Sequence, residues 1–216
     1  MKSISVLCRG ESLKSIKDLP KSDIVILVNT FGEEIKTIPE LREYLKDTEI
    51  YLCTSGTLDE LDSLKRINFF KEYKPTKMIR PYLKEISSKI RLSNYCDLPN
   101  TFLSSAHKEY MVPMKYPYDY PTTGIAAIGY AVLESNCDTI NIIGLDFYEN
   151  STYASSQKLN LKVLYKTDPE VIGGNMEKFF IKFVKNNPNK NFNIITTAEN
   201  YLSELTTIAN INYTKI

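Results

Sequence analysis

An α/β domain with a mainly parallel sheet is what this 216-residue sequence predicts, and three observations carry the expectation. Short runs rich in Ile and Val recur without polar–apolar alternation, as expected of strands covered on both faces. Amphipathic stretches alternate with those runs, the pattern of strands joined through helices. Small residues concentrate in Thr123–Glu134, as expected of a helix lying close against a sheet.

The elements follow in order. Ile4–Cys8 is the first expected strand, and Ile24–Val28 (Ile-Val-Ile-Leu-Val) is the second. Pro39–Lys46 opens with Pro in the first turn of a helix and carries Leu41 and Leu45 on one face. Ile50–Cys53 is the third strand. Leu58–Ile67 and Tyr82–Ile90 repeat the apolar and charged spacing of helices. Ile140–Ile143 is the clearest central strand, and Phe192–Ile195 follows as a later one. Between them, Met176–Lys185 brings Phe179, Phe180 and Phe183 to or beside one helix face before an Asn-Asn-Pro stop.

Two stretches fit this scheme poorly. Asp97–Tyr120 holds three prolines and several aromatics, Phe102, Tyr110, Tyr116, Tyr118 and Tyr120 among them, without a steady period. Glu149–Asn175 is polar and carries Gly173 and Gly174 near its end. Long irregular stretches in a compact domain are more often lids or binding loops than filler.

Composition narrows the function classes. The length suits one domain over residues 1–216, and 43% hydrophobic with 25% charged residues is ordinary for a soluble protein. Lys and Arg total 27 against 26 Asp and Glu, so no global field points to nucleic acid or an anionic membrane. No apolar run is long enough for a transmembrane span. The N-terminal apolar run is too short for a secretory signal and reads as a strand. Cys8, Cys53, Cys96 and Cys137 form no C-x-x-C pair and suit reduced, partly buried thiols, hence cytoplasmic residence. His107 is the sole histidine, which argues against a His/Cys zinc site. No metal and no cofactor is expected.

Several groups of residues point to a ligand. Gly10 and Ser12 follow the first strand in a turn able to offer backbone N–H groups to an anion; an ordinary strand-to-helix turn reads the same way. Neither a Walker loop nor a G-x-G-x-x-G fingerprint is present. Asn29 ends the second strand, where an amide can pair with a base or ribose or simply shape the turn. Thr122, Thr123 and Gly124 precede the Ala/Gly-rich helix, placing hydroxyls and N–H groups at its positive end. Asp146 closes the best strand, with Tyr148 and Tyr153 after it. Two phenols there are suited to stabilising a phosphate leaving group, although packing is the plain alternative in a chain with 15 tyrosines.

Together these pieces resemble bacterial sialyltransferases of glycosyltransferase family 42, and more faintly the eukaryotic sialyltransferases. The family's Gly-Asn-Gly-Pro-Ser-Leu-Lys turn is matched by Cys8-Arg9-Gly10-Glu11-Ser12-Leu13-Lys14. Its Cys-Asn is matched by Val28-Asn29, and its Arg-Ile-Thr-Ser-Gly by Tyr120-Pro121-Thr122-Thr123-Gly124. Its Ser-Gly-Ile-Asp-Phe-Tyr-Gln-Asn is matched by Ile143-Gly144-Leu145-Asp146-Phe147-Tyr148-Glu149-Asn150. The resemblance implies a single Rossmann-like domain of the GT-A kind with a lid at about 149–175. It also implies metal-independent, inverting transfer of a nonulosonic acid from a CMP-activated donor to a glycan hydroxyl. Gly10, Ser12 and Asn29 would then hold the nucleotide, Thr122, Thr123 and Gly124 the CMP moiety and sugar carboxylate, and Tyr148 and Tyr153 the departing phosphate.

The chain departs from the family at points that matter. Val171-Ile172-Gly173-Gly174-Asn175 stands where the family places its lid histidine. Inverting transfer needs a base near the acceptor hydroxyl, and His107, Asp119, Asp168 and Glu170 are the candidates. Arg9 replaces an Asn of the family, and Tyr120 an Arg. The alternatives are a catalytically silent nucleotide- or glycan-binding member of the fold, a transferase using another CMP-linked acid such as CMP-Kdo, and a pyrophosphokinase-like or methyl-transfer domain. Homo-oligomerisation and peripheral association with the inner membrane face are left open.

Overall fold

Ile and Val runs do become strands, and parallel ones. The computed structural model describes residues 2–54, 68–80, 101–103, 122–133, 135–146, 153–156, 169–198, 208 and 210–216. Among these, β1 (Ser3–Leu7), β2 (Ile24–Val28), β3 (Glu49–Cys53), β4 (Lys77–Arg80), β5 (Thr101–Leu103), β6 (Thr139–Ile143), β7 (Asn191–Thr196) and β8 (Ile211–Lys215) form one sheet. The strand order is β5-β4-β3-β2-β1-β6-β7-β8, and every pairing is parallel. The chain runs outward from β1 to β5, then returns to β6 on the other side of β1. That reversal is the topological switch point, where open α/β sheets hold ligands beyond the carboxyl ends of the strands.

Alternation along each strand feeds two apolar layers. Ile4, Val6 and Cys8, with Ile24, Ile26 and Val28, face α4 (Thr123–Leu133) and α5 (Pro169–Asn186). Leu7, Val25 and Leu27 face the opposite way, toward a 3-10 helix (Glu11–Asp18), α1 (Gly32–Thr37), α2 (Pro39–Leu45) and α3 (Phe69–Tyr73). In α5, Phe180 and Phe183 are fully buried, and burying each side chain contributes about 1.5–3 kcal/mol. Nearly all of α4 is buried, as its small residues led one to expect.

The sequence expectation and the structure differ in places. The helix expected at Met176–Lys185 begins at Pro169, so the 169–175 end of the expected irregular stretch is helical backbone. The helix expected to reach Lys46 ends at Leu45, and Glu134, the last residue expected in α4, lies outside the described residues. β4, β5 and β8 were not expected. β8 is an edge strand whose Asn212, Thr214 and Lys215 are exposed, so it lacks the apolar run that marks a covered strand. The expected helices Leu58–Ile67 and Tyr82–Ile90 lie outside the described residues, as does most of the 97–120 stretch.

One polar seam crosses the apolar interior. Asn212 Nδ2 donates to Asn193 Oδ1 (2.9 Å), and Asn193 Nδ2 to Asn141 Oδ1 (2.7 Å). These asparagines are register partners on β8, β7 and β6. Asn141 Nδ2 donates to Ser22 Oγ (2.7 Å), which meets Ser5 Oγ (2.7 Å), which meets the Tyr44 hydroxyl (2.7 Å). Tyr44 donates its one proton to the Pro20 carbonyl (2.7 Å), so the hydroxyl protons of Ser5 and Ser22 both point toward Tyr44. The chain of donors therefore runs head to tail from exposed Asn212 to Pro20. A one-residue slip of β7 or β8 would break it, which makes the seam a register lock.

Candidate functional site

At the switch point, the turns after β1 and β6 close on each other. Cys8 N donates to Ile143 O (2.8 Å), and Gly10 N to Gly144 O (2.8 Å). Gly144 has φ +77°, and a Cβ there would lie 2.1 Å from the Cys8 carbonyl oxygen. A Cβ on Gly10 would lie 2.4 Å from Asp146 Oδ2. Neither turn admits a side chain, so both glycines are fixed by close approach of backbone and carboxylate.

Asp146 ties these turns together. Its Oδ2 accepts from Ser12 N (2.8 Å); its Oδ1 accepts from Ser12 Oγ (2.6 Å), Thr196 Oγ1 (2.9 Å) and Thr197 N (3.1 Å). Ser12 Oγ in turn accepts from Gly144 N (2.9 Å). Asp146 and Ser12 are both buried, and their polar groups are turned inward. They hold the loops after β1, β6 and β7 in one arrangement. Ser12 does not cap the 3-10 helix, whose N-cap is Gly10 without a side-chain bond. Burial, and after it the charge of Asp146, pushes the Cys8 thiol well above the ordinary thiol range.

The start of α4 packs against the same edge. A Cβ on Gly124 would lie 3.0 Å from Cys8 Sγ, and the Cys53 thiol approaches the Thr123 carbonyl (3.7 Å). Thr122 N donates to Met176 Sδ (3.3 Å), joining this helix start to α5. The N–H groups of Thr123, Gly124 and Ile125 fall in the first turn, outside the helix's own ladder, at the positive end of its dipole. Thr122 is half-buried and Thr123 buried.

A second cluster lies beyond β2. Arg9 Nε donates to Glu34 Oε1 (2.8 Å), one of its terminal nitrogens to Thr30 Oγ1 (3.3 Å), and its guanidinium lies 4.0 Å from the centre of the Tyr153 ring. Ser155 Oγ also donates to Glu34 Oε1 (3.0 Å), and Ala154 N to the Arg9 carbonyl (2.8 Å). Residues 153–155 are thus fastened to Arg9 of the first turn by two contacts and to Glu34 of α1 by a third. Asn29 has φ +61°, continues the β2–β3 ladder through its N–H to Cys53 O (2.8 Å), and keeps a buried Oδ1 without a hydrogen-bond partner. Glu34 Oε2 is likewise buried and unpartnered.

Gly10, Ser12, Asn29, Thr122, Thr123, Gly124, Asp146 and Tyr153 thus all stand at the carboxyl edge of the sheet around β1, β2 and β6. Tyr148, His107, Asp119 and Asp168 lie outside the described residues; Glu170 is in the first turn of α5, with its side chain outside them. The sequence reading passed over the Arg9–Glu34 pair, Thr30, Ser155 and the Thr196–Thr197 anchor. A signal for Glu34 existed: with Phe31, Ile35 and Ile38 it shares the buried stripe of a short helix. Among the described residues, no three His, Cys, Asp or Glu side chains gather in a way that could hold a metal ion, and no helix is long and apolar enough to cross a membrane.

The sequence matches no protein-family model, and no curated protein matches it. Among solved structures, the chain is similar to the sialyltransferase CstII from Campylobacter jejuni in complex with cytidine-5'-monophosphate, at 15% identity and a TM-score of 0.37, covering 98% of this chain and 85% of that one. The same enzyme with CMP-3FNeuAc gives 17% identity and a TM-score of 0.42, over 98% and 86% of the two chains. The sialyltransferase Cst-II with a trisaccharide acceptor and CMP gives 16% and 0.39, over 89% and 80%. At these TM-scores the likeness bears on neither ligand nor chemistry.

Proposed function

We propose that the chain is a glycosyltransferase that binds a CMP-activated nonulosonic acid and transfers it, with inversion, to a glycan hydroxyl without a metal ion. The observation that supports this reading best is one of convergence. The segments resembling family 42 sialyltransferases, around Gly10, Asn29, Thr122–Gly124 and Asp146, are far apart in sequence and meet at the switch point of the sheet.

In this reading the first-turn N–H groups of α4 and the Thr122 hydroxyl take the phosphate or the sugar carboxylate. Asn29 takes part of the nucleoside. Ser12 and Asp146 act from behind, holding the turns that Gly10 and Gly144 allow to close. Tyr153, with Tyr148, donates to the departing phosphate oxygen as the glycosidic bond to CMP breaks and negative charge moves onto that oxygen. His107, Asp168 or Glu170 takes the proton of the attacking acceptor hydroxyl. The 149–175 stretch covers the donor.

The experiment is a screen of CMP, UDP, GDP and ADP for thermal stabilisation, followed by assay of CMP-linked acids for hydrolysis and transfer. CMP alone is expected to stabilise, and the Tyr148→Phe, Tyr153→Phe double variant to lose turnover while keeping CMP binding. Stabilisation by another nucleotide and not by CMP would refute the donor assignment. A second reading, a nucleotide- or glycan-binding member without turnover, is favoured by Gly173 and Gly174 standing where the family has its histidine. CMP binding with no hydrolysis of any CMP-linked acid would select it.

A further inference from the structure

The unfilled hydrogen-bonding positions at this edge are segregated by kind. Near β1, β6 and the start of α4 they are donors, the N–H groups of the first helical turn. Beyond β2 they are acceptors: Asn29 Oδ1 and Glu34 Oε2, both buried and both without a partner. Glu34 has a fully buried side chain whose other oxygen already receives Arg9 Nε and Ser155 Oγ. A buried carboxylate oxygen lacking a donor is costly, and a donor brought from outside the protein removes that cost. An anion cannot fill the position, because both vacancies are acceptors and one belongs to a carboxylate. A neutral group bearing O–H fits.

We propose that Glu34 reads the ribose of the bound nucleotide, its Oε2 accepting a hydrogen bond from a 2′- or 3′-hydroxyl. The proposal rests on the nucleotide-binding reading of this site. An acidic residue beyond the second strand plays this part in dinucleotide-binding α/β folds, for the same reason of position and chemistry. Arg9 is the positioning residue: its Nε fixes Oε1, and with Ser155 on that same oxygen the carboxylate is oriented so that Oε2 is left for the ligand. Glu34 is itself fully buried, so the proposal has the ligand enter past Asn29 and Thr30, both half-buried beyond β2. The phosphate then lies over the start of α4 and the ribose over β2, which sets the direction of the nucleotide across the sheet.

The test is a ligand-against-variant cycle by calorimetry. CMP, 2′-deoxy-CMP and 3′-deoxy-CMP are titrated into the wild-type chain, Glu34→Gln and Glu34→Asp, with the pairs UMP/dUMP, GMP/dGMP and AMP/dAMP in parallel. For the wild type, removing the contacted hydroxyl is expected to weaken binding ~10- to 100-fold, the range of a hydrogen bond to a charged group. Glu34→Gln is expected to bind the ribo- and deoxy-forms alike, and Glu34→Asp, which keeps the charge facing Arg9, to fold as the wild type and lose most of the discrimination. Equal binding of ribo- and deoxy-forms by the wild type would overturn the proposal while CMP binding still stood. So would discrimination unchanged in both variants. If CMP fails to bind but another nucleotide binds, the donor assignment fails and its own ribo/deoxy pair decides the role of Glu34. If no nucleotide binds, both fall.

Discussion

Two of the polar clusters among the described residues are finished differently. The seam from Asn212 to Pro20 runs across the middle of the sheet, and each hydroxyl and amide between its two ends both donates and accepts. The cluster beyond β2 stops short, with Asn29 Oδ1 and Glu34 Oε2 buried and unpaired. Both cross apolar surroundings where an unpaired group costs on the order of 1–3 kcal/mol. The closed seam needs nothing further and serves the fold. The open cluster stands beyond β2, where the binding reading proposed above has a ligand supply the missing donor. Under that proposal the closed seam serves the fold and the open cluster serves binding.

The sharpest way to break this contrast is to remove one member of each cluster and compare stability with binding. Asn141→Ala strands the Asn193 amide and takes a donor from Ser22, and is expected to cost about 2–4 kcal/mol by urea denaturation with nucleotide affinity unchanged. A change under about 1 kcal/mol would show that the seam is not closed as described. Asp146→Asn places an amide among donors from Ser12, Thr196 and Thr197, and is expected to cost about 2–3 kcal/mol. Nucleotide binding should weaken with it, because the turns after β1 and β6 loosen together.

Asn29→Gly should behave in the opposite sense. Gly accepts the left-handed backbone and removes an unsatisfied acceptor, so unliganded stability should move by less than about 1 kcal/mol. Nucleotide affinity should fall roughly tenfold. A large loss of stability without loss of binding would place Asn29 with the architectural residues.

The smallest expected effect is in alkali. Burial holds the Tyr44 phenol above its ordinary value and, as the leading cause, brings Tyr73 up to about 12. Below about pH 10 these phenols are protonated in folded and unfolded chains alike and give no slope. Above it the unfolded chain releases protons that the folded chain retains, so stability falls until pH passes the folded values. Thermal midpoints should therefore begin to decline near pH 9, where the unfolded Cys8 thiol ionises and the folded one is held protonated, and decline more steeply beyond about pH 10. Tyr44→Phe should make that decline shallower, by under about 1.4 kcal/mol per pH unit.

How much of this was legible in the sequence depended on what each residue had to do. Covered strands such as Ile24–Val28 announce themselves because both faces are apolar. The short β4 carries Lys77 and Arg80 at its ends, and β8 alternates at an exposed edge, so neither has the run that marks a buried strand. The start of α5 was hidden because Gly173 and Gly174 read as loop residues, each weakening a helix interior by about 0.5–1 kcal/mol relative to Ala. For the site, motif resemblance singled out Gly10, Asn29 and Asp146, which the sheet brings to one edge. It did not show that Ser12 and Asp146 turn their polar groups inward, since a supporting hydroxyl and a ligand-binding one look alike in sequence. Glu34 was missed because a Gly-Glu-Glu helix start reads as a solvated face, and its partner Arg9 lies far away along the chain.

Thermal unfolding with and without CMP tests the central claim most directly. Ligand at 100 times its dissociation constant stabilises the folded state by about 2.7 kcal/mol, which for a chain of this size raises the midpoint by roughly 5–10 °C. That rise is expected with millimolar CMP, and none with UDP, GDP or ADP. A flat response to CMP beside a clear rise with another nucleotide would contradict it.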